Sequence, residues 1–234
     1  MERPSVLFIP GMMLDGRMYT SQIAAIAADH RSTVADISGS SSVEALARDA
    51  LAAAPQRFAL VGLSLGGIVA LEMYRQARHR ISHLALLDTT PHADGPDRSA
   101  TRLEHLAAVE RGDLAQVLKT SMKPLYLADR NRANQRLLAA ILQMGIALGP
   151  TTFRNQSLAL MHRSSYRSML ASIDCPAMVL CGREDQLCPV SIHLDLANAI
   201  PRADLVVLAE TGHLSSMEEP SAVTDALYHL LRRS

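Results

Sequence analysis

Phe58-Ala59-Leu60-Val61-Gly62-Leu63-Ser64-Leu65-Gly66-Gly67 is the stretch on which the fold turns. Four apolar residues make a β-type run, a glycine-rich turn follows, and the chain from about Gly67 to Ala77 continues as a helix. So abrupt a passage from strand to helix places the serine in a strained backbone conformation, and the flanking glycines leave room for the two segments to approach. Ser64 would then present its hydroxyl at the start of the helix. The plainer alternative is a glycine-rich helix start whose serine merely caps.

Toward the N-terminus, Val6-Leu7-Phe8-Ile9 is another short run, broken by Pro10-Gly11 before an amphipathic stretch from about Met18 to Ala28. Ser32 to Asp36 is the next strand candidate. Val43, Leu46, Ala47, Ala50 and Leu51 then recur at helical spacing, with Ser41 and Glu44 read as a capping box. On the other side of the turn, Leu84 to Leu87 is a further apolar run. Continuous apolar strands alternating with helices predict a parallel sheet covered on both faces.

From about Thr89 to Ser172 the alternation stops, and helical spacing (Leu103, Leu106, Ala107; then Leu137, Leu138, Ile141, Leu142, Gly145) is punctuated by Asp113, Pro124, Gly149-Pro150 and Ser164-Ser165. The strand pattern returns at Met178 to Cys181, followed by a helix near Ser191 to Ile200, a strand at Leu205 to Leu208 and a closing helix with Pro220 in its first turn. The expected architecture is α/β: a doubly wound, mostly parallel sheet of about six strands, with residues 1–88 and 173–234 forming the core domain. Residues 89–172 are expected to form a helical lid inserted in that core.

Composition narrows the partners. The 234 residues hold 23 Lys+Arg and 23 Asp+Glu, a formal net charge of +0. With no surplus of cations, nucleic acid and membrane surfaces are not expected partners. At 48% hydrophobic and 20% charged residues the chain has the means to fold. The apolar run at the N-terminus is too short for a secretion signal, and no stretch approaches the roughly 18 to 20 uninterrupted apolar residues of a membrane span. Cys175, Cys181 and Cys188 lack metal-site spacing and read as reduced thiols of a cytoplasmic protein.

A serine hydroxyl attacks a carbonyl only when a base takes its proton. Among the nine histidines, His213 lies in Glu210-Thr211-Gly212-His213-Leu214-Ser215, just past the last expected strand, at the sheet end where active sites of parallel sheets gather. His92 and His162 belong to the insertion and could touch a substrate, whereas His30, His79, His83, His105 and His229 are expected to be solvated or locally satisfied. A base histidine is oriented by a carboxylate. Gly182-Arg183-Glu184-Asp185 supplies two, with Asp185 favoured, Glu184 second and Asp88 a competitor at the end of another strand. The developing oxyanion needs donors, for which the backbone N–H groups of Leu65 and Met12 are the candidates.

Taken together, Pro10-Gly11-Met12, Gly62 to Gly67, Gly182 to Pro189 and Gly212 to Ser215 resemble the small lid-bearing serine hydrolases of the α/β-hydrolase superfamily, over essentially the whole chain. The resemblance implies Ser64 as nucleophile, His213 as base and then acid, Asp185 as the orienting carboxylate, and Met12 and Leu65 as the oxyanion hole. Many relatives have His-Gly where this chain has Pro10-Gly11. The usual first hairpin is expected to be missing, which would leave Thr33 to Asp36 at a sheet edge, solvated or paired in a dimer.

The function implied is hydrolysis of a carboxylic ester, thioester or related acyl bond of a small molecule, with no metal or organic cofactor. Hydrolysis of a C–C bond or an enol-lactone would use the same residues. A ligand-binding receptor or degenerate hydrolase is the alternative of another class, and oligomeric state is open. The pocket is expected to be lined by Met12, Met13, Leu14, Leu65 and Leu214, with Leu125, Tyr126, Leu142 and Met161 from the insertion, and so to suit an apolar acyl or alcohol group.

Overall fold

The computed structural model describes residues 3–234; Met1 and Glu2, which begin both the N-terminal stretch and the 1–88 range read above, lie outside the described residues. The strands are β1 (Ser5–Ile9), β2 (Ser32–Val34), β3 (Phe58–Leu63), β4 (Ile81–Leu87), β5 (Ala177–Gly182) and β6 (Ala203–Leu208). They form one sheet in the order β2-β1-β3-β4-β5-β6, every pair parallel. The chain winds outward from β1 to β2, then crosses back to β3 and proceeds to β6. The carboxyl ends of β1 and β3 therefore flank the point where winding reverses, where a crevice opens in such sheets.

Both faces are covered because β1, β3 and β5 are apolar at nearly every position rather than at alternate ones. Leu7 and Ile9 of β1 and Leu60 of β3 pack into one core cluster with helices α2 (Val43–Ala53) and α3 (Leu65–Ala77). Val6, Phe8, Ala59 and Val61 point the other way, into a second cluster with Ile26 of helix α1 (Thr20–Ile26) and with Val223 and Leu227 near the C-terminus. Helix α2 starts one residue later than the capping box expected. Ser42 is its cap, accepting from the Ala45 N–H at 3.3 Å and donating to Glu44 at 2.7 Å, because the first helical residue is Val43. Strand β2 is short and occupies a sheet edge.

Between β4 and β5 the chain runs through α4 (Pro96–Glu110), α5 (Leu114–Val117), short turns, α6 (Gln135–His162) and a 3₁₀ turn at Arg167–Ser172. Asp113 and Gly149 mark breaks, as their residue types suggested: Asp113 precedes α5, and Gly149 at φ 78° with Pro150 behind it interrupts α6. By length and composition α6 would suffice to cross a bilayer. The break leaves two pieces of about 21 Å each at 1.5 Å per residue, short of the roughly 30 Å of hydrocarbon a span must cross. After β5 come α7 (Val190–Ala199), the single turn α8 (Ser215–Glu218) after β6, and α9 (Pro220–Leu231), opened by Pro220.

Candidate active site

Ser64 sits between β3 and α3 with φ 56° and ψ −117°, a conformation that costs on the order of 1–3 kcal/mol and persists only when its surroundings impose it. They do. The Ser64 N–H donates to the Leu87 carbonyl at 2.9 Å, and the Ser64 carbonyl accepts from the Gly67 N–H at 2.9 Å and the Thr89 hydroxyl at 2.7 Å. The two glycines of the turn are required by close approach: a Cβ on Gly62 would lie 2.2 Å from the Gly66 carbonyl oxygen, and one on Gly66 would lie 2.0 Å from that of Ile9. The latter contact also seats the loop after β1 against the serine.

His213, in the loop between β6 and α8, is turned toward Ser64. Its Nδ1 is 2.8 Å from Asp185 Oδ2 and its Nε2 is 2.9 Å from Ser64 Oγ. An ionised carboxylate only accepts, so Nδ1 carries the proton and Nε2 is left to accept from the serine hydroxyl. The other oxygen of Asp185 accepts from the Leu187 and Cys188 N–H groups, both at 2.9 Å, which fixes the carboxylate. His213 and Asp185 are buried and Ser64 is partly exposed, so the hydroxyl is the most open member of the row toward the cavity, which His213 also borders. Burial alone would depress the imidazole, but the opposing effects, led by the charge and hydrogen bond of Asp185, outweigh it and hold His213 above its ordinary value.

The competing carboxylates are engaged elsewhere. Glu184 accepts from the Asp129 N–H at 2.8 Å. Asp88 accepts from the Gly182 N–H and binds Ser215 through both its N–H and its hydroxyl, the latter at 2.5 Å. Complete burial and the nearby charge of Asp185 raise Asp88 to about 8. The two buried aspartates are thus driven apart: Asp88 favours its neutral form while Asp185 accepts from three N–H groups.

The N–H groups of Met12 and Leu65 have no hydrogen-bond partner among the described residues. Met12, Ser64, Leu65 and His213 share a cavity of about 460 Å³. Of the expected apolar lining, Met12, Leu14, Leu65, Leu125, Tyr126 and Leu214 are on its wall. Met13, Leu142 and Met161 are not: Met13 is a buried member of the core cluster that includes α2 and α3, and Leu142 and Met161 pack against that cluster. His92 and His162 are also off the wall, and His105 is on it. What the sequence reading missed is a set of cations on the same wall, Arg98, Arg102 and Arg163. For Arg98 and Arg102 the only sequence signal is a polar face on α4, which ordinarily means solvent, and for Arg163 there is none.

One ligand atom each of Asp185, Cys188 and His213 falls within 4.8 Å of the others, the spacing a metal ion could use. Those donors are committed: both Asp185 oxygens and His213 Nδ1 are in the hydrogen bonds above, and burial pushes the Cys188 thiol up, away from the thiolate that metals bind.

A sequence model of the alpha/beta hydrolase family matches residues 6–226. The chain belongs to that family. The hydrolase is similar to the pimeloyl-[acyl-carrier protein] methyl ester esterase of Vibrio atlanticus, at 26% identity over 96% of this chain and 93% of that one. Among solved structures, a thermophilic esterase from Thermogutta terrifontis, determined with malate bound, superposes with a TM-score of 0.89 at 28% identity, covering 98% of the hydrolase and 89% of that chain. The enol-lactonase of Burkholderia xenovorans shares the fold, with a TM-score of 0.87 at 21% identity over 98% and 92% of the two chains.

Proposed function

We propose that the hydrolase cleaves a small-molecule carboxylic ester, or a closely related acyl bond, through an acyl-enzyme on Ser64. The observation that carries this reading is the continuous row Asp185–His213–Ser64, with spacings of 2.8 and 2.9 Å and the hydroxyl facing a cavity. His213 Nε2 takes the hydroxyl proton as Oγ bonds to the substrate carbonyl carbon, and the resulting oxyanion is met by the free N–H groups of Met12 and Leu65. The imidazolium, steadied by Asp185, returns the proton to the departing alcohol as the tetrahedral intermediate collapses. Water deprotonated by His213 then attacks the acyl-enzyme, and collapse of the second intermediate frees the acid and restores Ser64.

In this reading the helices between β4 and β5 act as a lid, since α4, the turn around Tyr126 and the second half of α6 supply much of the cavity wall. The esterases among the similar proteins support an ester as the bond attacked. Incubation with p-nitrophenyl butyrate and then a fluorophosphonate tests the proposal. Multiple turnovers with a stoichiometric adduct on Ser64 are expected; folded protein that neither turns over nor labels would refute it.

A further inference from the structure

Helix α4 presents Arg98, Thr101, Arg102 and His105 to the cavity, the i, i+3, i+4, i+7 face that a helix bordering an apolar pocket would normally fill with aliphatic side chains. Arg163, beyond the end of α6, adds a third guanidinium from the opposite element. Its side chain is 1% exposed, with Nε donating to the His92 carbonyl at 2.9 Å and Nη1 to the Leu160 carbonyl at 2.8 Å. Arg102 is held by Asp94, to which its Nε donates at 2.6 Å, and its Nη1 lies 3.5 Å from the sulfur of Met12, the residue offered above as an oxyanion donor. Arg98 is held by the neutral carbonyl of Leu187 at 2.5 Å.

The charges on this wall do not balance. The side chain of Asp94, fully buried, is shared between Arg102 and Arg163. Asp97 is the acidic residue on the cavity wall and is exposed. In the buried part of the wall two guanidiniums, Arg102 and Arg163, share the single carboxylate of Asp94, which leaves one positive charge removed from water beside the cavity, where unmatched charge is costly. Burial and the charges of Arg102 and Arg98 push Arg163 down from its ordinary value against the pull of Asp94, and Arg102 adds to the burial that depresses His105. A wall that tolerates such crowding is arranged for an anion supplied from outside. Arginine's planar fork suits a carboxylate, and a single surplus charge suits a monoanion.

The geometry points to an ester whose acyl chain ends in a carboxylate, a half-ester of a dicarboxylic acid, as the substrate class of this site, with Arg98, Arg102 and Arg163 as its specificity determinants. This rests on Ser64 hydrolysing esters and refines what it hydrolyses. Oriented charge-assisted hydrogen bonds of about 1.5–3 kcal/mol correspond to roughly 10- to 100-fold in specificity.

The test compares kcat/KM for the monomethyl esters of succinate, glutarate and adipate with that for the same esters carrying a carboxamide in place of the free acid. At one chain length at least, the acid is expected to be preferred 10- to 100-fold, the preference shrinking as salt is raised. Arg98→Gln and Arg102→Gln should each cut that ratio several-fold, with Arg102→Lys restoring part of it; circular dichroism confirms folding, and Arg98, being exposed, serves if the Arg102 variant does not fold. Equal rates on acid and amide, or preference for the amide, overturn the inference while ester hydrolysis stands. If no ester is cleaved and Ser64 fails to label, the proposed reaction has failed and the substrate class falls with it.

Discussion

His213 Nε2 stands 2.9 Å from Ser64 Oγ, although 149 residues separate the two along the chain. Removing the hydroxyl should therefore remove the chemistry and little else. Ser64→Ala is expected to lower p-nitrophenyl butyrate turnover by at least about 10³-fold, while thermal unfolding places its stability within about 1 kcal/mol of wild type. Comparable turnover in the variant would mean the nucleophile lies elsewhere.

As the proposed base, His213 is expected to set the acid limb of the pH profile through its protonation. Its value is held above the ordinary imidazole figure of about 6.5, so kcat/KM should fall as pH drops through a midpoint higher than that. A midpoint below 6.5 in kcat/KM, with chemistry limiting, would contradict the Asp185 pairing.

The two buried aspartates should separate cleanly on mutation. Asp185→Asn is expected to cost about 10⁴-fold in kcat by losing control of the imidazole tautomer, and Asp88→Asn far less. Stability gives an independent readout. Asp88 is raised from 3.8 to about 8 in the folded state, so its contribution is full below pH 3.8 and lost as pH rises through about 8. The stability of wild type relative to Asp88→Asn should accordingly decline from pH 4 to pH 8, measured by urea unfolding at each pH. A difference that is flat with pH would show that Asp88 titrates normally.

Gly66 is the tightest point of the fold around the site. Gly66→Ala puts a methyl group 2.0 Å from the Ile9 carbonyl oxygen and 2.6 Å from that of Pro10, both backbone atoms. A loss of about 3 kcal/mol or more is expected, with activity falling further than stability because the displaced loop carries Met12. Thermal denaturation and ester hydrolysis on the same preparation check both parts.

Glu218 ties the histidine loop to the helical segment between β4 and β5, accepting from the Gly212 N–H at 2.9 Å through one oxygen and from the Ala128 N–H at 2.9 Å and the Asn131 amide at 3.0 Å through the other. Glu218→Ala leaves buried donors unpaired and should cost about 1–3 kcal/mol. Glu218→Gln, which keeps an acceptor, should recover part of that loss in a urea titration.

The strands and their alternation with helices were legible because a sheet buried on both faces demands unbroken apolar runs, and Val6 to Ile9, Phe58 to Val61 and Met178 to Cys181 have little else they could do. The capping serine of α2 was off by one because Ser40, Ser41 and Ser42 offer the backbone nearly the same chemistry, and the choice falls to where Val43 packs. Met13, Leu142 and Met161 were misplaced for a related reason: spacing says that a helix or loop residue is apolar, and packing decides whether it meets the core or the cavity.

Sequence by itself determined the doubly wound sheet and the serine turn, because apolar periodicity and glycine placement act over a few residues and survive in any context. Tertiary structure decided which carboxylate meets His213, which of two buried aspartates keeps its proton, and that three arginines share a wall with Ser64. Those outcomes depend on distances across the sheet end and on how far each charge is removed from water. Neither quantity exists until segments distant along the chain have been brought together.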